Sequence, residues 1–93
     1  MIVGVLEVSL HIPQSRSLKD KRQAVRSLKD RIRRKFNVSL AETDGQNTWQ
    51  TCVLAMSMAA SQRAAIEREF NHILELIETE PAIVLTDHWI DYL

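Results

Sequence analysis

"FNVSLAETDGQNTWQTCVLAMSMA", residues 36–59, lies between two long helical patterns, and its reading decides the fold. Near its middle stands Asp44-Gly45, the kind of pair used by turns that need positive φ. Beyond the turn, Cys52, Leu54, Met56 and Met58 alternate with Thr51, Val53 and Ala55. Successive strand residues point to opposite faces, so the first set faces a core and the second, extended back to Trp49, faces away from it. The stretch is therefore a β-hairpin, and a hairpin between two helices leaves few arrangements for what flanks it.

Upstream, residues 2–12 also alternate, with Ile2, Leu6, Val8, Leu10 and Ile12 on one side and Val3, Val5, Glu7, Ser9 and His11 on the other. Pro13 stops this strand because it has no N–H to donate, and Ser17 is placed to cap a helix starting at Leu18. Leu18, Val25, Leu28 and Ile32 then fall within about 80° of one another at 100° per residue, which predicts a helix to about Lys35. Downstream, Ser61 caps a second helix whose stripe is Ile66, Phe70, Ile73, Leu74 and Ile77, and Pro81 ends it. "AIVLTDHWIDYL", residues 82–93, is β-rich. The order β-α-β-β-α-β is two split βαβ units. It predicts an α+β ferredoxin-like sandwich, a single domain over 1–93, with two helices on one face of a four-stranded antiparallel sheet whose first and third strands are central.

The lone Cys52 cannot form an internal disulfide, and the opening "MIVGVLEVSLHI" has neither a basic leader nor a small-residue cleavage site. The expected setting is cytoplasmic and reducing. No apolar run approaches the ~20 residues of a membrane span, so no membrane role is expected. The net charge of zero conceals an asymmetry. Residues 16–35 hold ten of the twelve cationic side chains against Asp20 and Asp30, a net of +8, and the remainder of the chain carries −8. Such a charge dipole bears on partners rather than on fold.

Searching for chemistry excludes more than it finds. His11, His72 and His88 fall on three elements with no paired spacing, so no metal site is expected. Asp87 and His88 are neighbours on a strand and point to opposite faces, which denies them an acid–base pairing. Cys52 has no base near it in sequence and reads as a small core residue. Gly4 and Gly45 begin no phosphate-binding loop. Acylphosphatases share this size and fold but carry a glycine-rich loop with an arginine after the first strand, where this chain has "HIPQSRS". RNA-recognition motifs put stacked aromatics on the third strand, where this chain has "TWQTCVLAM". No catalytic residue, cofactor or small-molecule substrate is implied.

Two surfaces remain. With Leu18 at 0°, Lys29, Arg22, Arg33, Arg26 and Lys19 fall at about 20°, 40°, 60°, 80° and 100°, one cationic stripe beside the apolar arc. It suits a polyanion; the alternative is a solvated flank whose charges pair with Glu67, Glu75 or Glu78 of the second helix. The second surface is the open face of the sheet, where Val3, Val5, Trp49 and Val53 form an apolar cluster suited to self-association.

"SLKDKR" (Ser17 to Arg22), "FNVSLAETD" (36–44) and the pair Trp49-Gln50 together resemble the YlxP family of small bacterial proteins of unknown function, over essentially the whole chain. The pattern singles out Ser17, Leu18, Lys19, Lys21 and Arg22, all present here. The resemblance implies a ferredoxin-like fold and no established catalytic residues. Members are typically encoded among genes for transcription elongation, translation initiation and ribosome maturation, an association with RNA or the ribosome. The expectation is a non-enzymatic RNA- or ribosome-associated accessory protein acting through the stripe, with a homodimerisation module as the alternative.

Overall fold

In the computed structural model, which describes residues 1–45 and 48–93, the elements run β1 (Ile2–His11), α1 (Leu18–Lys35), β2 (Ser39–Asp44), β3 (Thr51–Ala60), α2 (Arg63–Glu78) and β4 (Val84–Tyr92). The sheet order is β2-β3-β1-β4, with every neighbouring pair antiparallel, so β1 and β3 are central as expected. This is the ferredoxin-like α+β sandwich.

The start of α1 follows from three residues. Ser17 is extended (φ −161°, ψ 164°), and its Oγ accepts the N–H of Asp20 at 3.1 Å. Asp20 Oδ2 in turn accepts the N–H of Arg16 at 3.1 Å, completing a reciprocal capping arrangement that satisfies two amides. Val25, Leu28 and Ile32 then face the sheet and are buried. They meet Leu6, Val8, Leu10 and Ile12 of the first strand region and Cys52, Leu54 and Met56 of β3 in one core with Ile66, Phe70, Ile73, Leu76 and Ile77 of α2. A fully buried side chain of this type is worth about 1.5–3 kcal/mol, so this layer is the main source of stability.

Gly4 occupies a core-facing position on β1, where the alternation called for a side chain. A Cβ there would lie 2.6 Å from Ile66 Cγ2 and 3.1 Å from Phe70 Cε2, so its absence lets α2 approach the sheet closely. Gly45 has φ +80°, the positive value expected of it.

Several details differ from the sequence reading. Gln62, not Ser61, is the N-cap of α2, and no side chain caps it. The buried stripe of α2 contains Leu76, while Leu74 is only partly buried. At 100° per residue Leu76 falls about 60° to one side of Ile73, where it lines the cleft with Arg31 and Lys35 of α1, and Leu74 falls about 100° to the other side. The hairpin connection is also longer than a two-residue turn. β3 begins at Thr51, so Trp49 stands in the connection rather than on the strand beside Val53.

Candidate nucleic-acid interface on helix α1

The first turn of α1 is tied to the β2–β3 connection by Lys21. Its side chain is only 1% exposed, and its ammonium reaches Gly45 O, Thr51 O at 3.3 Å and Glu42 Oε2 at 3.4 Å. A lysine ammonium has three N–H donors, and here each meets an acceptor. Lys21 therefore pins both ends of the connection to the helix. The charge pattern counted it with the other cations, but its angle of about −60° from Leu18 lies inside the apolar arc. That angle was the available sign of burial.

Glu42 also accepts the Cys52 thiol. Burial, then the charge and the hydrogen bond of Glu42, push that thiol up to about 12. The fold thus brings a carboxylate to Cys52 that its sequence neighbourhood lacks, but the effect is to keep the thiol protonated. The thiolate is the nucleophile, so this cluster is unreactive at neutral pH.

Gln50 joins the two loops at this end of the molecule. Its Nε2 donates to Pro13 O at 3.4 Å and Ser15 O at 3.2 Å, while its carbonyl accepts Ile12 N–H at 2.8 Å. Ser15, buried at 3% exposure, donates its hydroxyl to Ser17 O at 3.0 Å. Within the stretches quoted above, Ser17, Lys21 and Gln50 thus serve as cap, pin and clamp. Leu18, partly buried, completes the apolar side of the first turn.

On the outer flank of α1, Lys19, Arg22, Arg26 and Arg33 are exposed and Lys29 is partly so. Lys19, Arg22, Gln23 and Arg26 line an open hollow of about 250 Å³. At the far end Arg33 Nη2 donates to Leu40 O of β2 at 3.2 Å, which places the stripe along the β2 edge of the sheet. The side facing α2 carries Arg31 and Lys35 instead. Arg31 pairs with Glu80, and Arg31, Lys35, Phe36, His72 and Glu75 line the cleft between the helices. Glu67 pairs with Arg63 on its own helix at 3.3 Å. Among the described residues the ion pairs are Lys21–Glu42, Arg31–Glu80, Arg63–Glu67 and His72–Glu69, none of which involves the stripe. The acids of α2 lie across the buried arc from the stripe, and the helix itself separates them.

Among the described residues no helix lies over the opposite face of the sheet. Val3, Val5, Val53 and Ala55 are partly exposed there. Trp89, 47% exposed, lies opposite Glu7 and donates its indole N–H to Glu7 Oε1 at 3.1 Å. His11, His72 and His88 stand on β1, α2 and β4, and among the described residues no three His, Cys, Asp or Glu side chains gather as a metal would require. Among the described residues no helix is long and apolar enough to cross a membrane.

Fold and surface together define a small ferredoxin-like α+β protein with a cationic flank on its first helix. The chain belongs to the family described as "Protein of unknown function (DUF503)", which it matches over residues 3–90. It is 33% identical over 85 residues to the "Uncharacterized protein YlxP" of Bacillus subtilis (strain 168), spanning 91% of this chain and 92% of that one. Among solved structures it is similar to "Structural Genomics, protein YJCS", with a TM-score of 0.59 and 10% identity over 96% of each chain. It is also similar to the de novo designed protein LFR1 1 with ferredoxin fold, with a TM-score of 0.57 and 15% identity over 100% of this chain and 84% of that one. At these identities the two structures speak to the fold alone.

Proposed function

We propose that this chain is a non-enzymatic, RNA- or ribosome-associated accessory protein that binds through Lys19, Arg22, Arg26, Lys29 and Arg33. The observation that carries this reading is the separation of the stripe from the acids that could neutralise it. Among the described residues Arg31, on the α2 side of α1, pairs with Glu80, and none of the ion pairs involves the five stripe cations. Five cations spread over about 20 Å of helix match the repeated charge of a phosphodiester backbone better than a compact anion. The family's association with translation and transcription genes supports RNA as the polyanion.

Co-sedimentation with ribosomal subunits over a salt series tests the reading. Wild-type protein is expected to pellet with a subunit at low salt and to be released as salt rises, and the variant with Arg22, Arg26 and Arg33 all replaced by Glu is expected to stay in the supernatant. Equal pelleting of the two proteins would refute it.

A second reading is homodimerisation through Val3, Val5 and Val53 on the open sheet face, favoured by the exposed Trp89 that extends this apolar surface toward β4. Sedimentation equilibrium decides it. A monomer at every accessible concentration rejects the dimer, and an association weakened by Val5→Lys supports it.

A further inference from the structure

Trp49 is half exposed, at 51%, yet both of its neighbours are fixed. On one side, Thr48 Oγ1 contacts Gly45 O at 3.0 Å, Thr51 O at 3.2 Å and Thr51 Oγ1 at 2.6 Å, and the Thr48 N–H donates to Gly45 O at 3.2 Å. On the other side Gln50 is clamped to Pro13, Ser15 and Ile12. The backbone that presents this indole is therefore held in place before any partner arrives. A large apolar ring held out into water contributes little to folding but avoids ordering costs on binding.

Its position relates it to the stripe. α1 runs antiparallel to β2, since Lys21 near its start reaches Glu42 and Gly45 whereas Arg33 near its end reaches Leu40. The stripe therefore follows the β2 edge and leads, at its Lys19 and Arg22 end, toward the connection that holds Trp49. Lys21 binds that connection at Gly45 and Thr51, on either side of Trp49. The other tryptophan is used differently. Trp89 bonds to Glu7 on the sheet, while among the described residues the Trp49 indole has no hydrogen-bond partner.

We infer that Trp49 is a base-stacking residue at the end of the α1 stripe, so that the ligand of this surface is single-stranded rather than duplex RNA. This rests on the RNA-binding reading and deepens it. Phosphate contacts along a basic helix do not distinguish one strand from two, but an exposed tryptophan can stack only on a base whose face is not already covered by the stacked neighbours of a duplex. The cations supply attraction without regard to sequence, and the indole adds a preference for unpaired bases.

Oligouridylate and a matched RNA duplex serve as the probes, titrated into the full chain at fixed salt and followed by anisotropy of labelled RNA. Trp49→Ala is expected to weaken single-strand binding by about five- to hundred-fold, the range for losing one stacked base, with duplex binding and the salt slope unchanged. Trp49→Phe is expected to recover most of the loss. In a Trp89→Phe background the remaining indole fluorescence is expected to be quenched by the single strand and not by the duplex. Undiminished single-strand affinity in Trp49→Ala, alongside normal binding by wild type, overturns the stacking role and leaves the stripe standing. Absence of binding by wild type to either RNA overturns both.

Discussion

Replacing Lys21 by Met keeps the aliphatic stem and removes only the ammonium. Gly45 O and Thr51 O then lose a charged donor, and Glu42 loses its cationic partner while still beside the Cys52 thiol. A hydrogen bond to a charged group contributes about 1.5–3 kcal/mol, and breaking a fully buried ion pair costs about 3–5 kcal/mol. Glu42 is 20% exposed and keeps some water, so the lower part of that range applies. The expected loss is about 2–4 kcal/mol, which at about 4–8 °C per kcal/mol lowers Tm by at least ~8 °C. Urea and thermal unfolding followed by far-UV circular dichroism measure it. Lys19→Met, on the exposed flank, is the control and is expected to stay within about 0.5 kcal/mol of wild type. Adding Glu42→Gln to Lys21→Met is expected to restore part of the loss, since the carboxylate that Lys21 had faced is then neutral. A Lys21→Met protein as stable as the control would refute the pinning role.

Other consequences can be read from the same unfolding curves. Gly4→Ala puts a methyl group 2.6 Å from Ile66 Cγ2, and the displacement of α2 is expected to cost about 1–3 kcal/mol. Ser17→Ala removes the acceptor for the Asp20 amide and is expected to cost about 1 kcal/mol, with Ser17→Asp close to wild type. The Cys52 thiol titrates near 12 in the fold against 9.0 for a free thiol, so its contribution to stability is complete below about pH 9 and is lost as pH rises toward 12. Cys52→Ala is expected to flatten stability between pH 9 and the alkaline limit of the assay, and native Cys52 is expected to resist thiol reagents at pH 8 until the chain unfolds. An unaltered alkaline slope in Cys52→Ala would contradict this assignment.

The architecture was legible because its signals are local and periodic. Alternation in β1 and β3, the Ser17 cap and the 100° arc of α1 each reappear in the fold with the expected facing. The arrangement around the first turn of α1 was not, because it depends on contacts between residues distant in the chain. Lys21 meets Thr51 across 30 positions and Gln50 meets Ser15 across 35. No periodicity encodes those pairings. The charge count treats Lys21 like the other nine cations of residues 16–35, and only its angular position, inside the apolar arc, sets it apart as the buried one. Angle groups Lys19, Arg22, Arg26, Lys29 and Arg33 on one flank of α1, where the fold leaves them exposed or partly so, but that spacing does not encode which flank of α1 the second helix packs against.

The most direct measurement is the salt dependence of binding to single-stranded RNA by wild type and by the variant with Arg22, Arg26 and Arg33 all changed to Glu. For a single strand, the logarithm of affinity falls with the logarithm of salt concentration with a slope of about −0.7 per phosphate contact. Five contacts give about −3.5, and removing three leaves a slope no steeper than about −1.5 if binding survives at all. A steep slope in wild type that collapses in the variant is the predicted result. The same slope and affinity in both proteins would contradict the assignment of RNA binding to the α1 stripe.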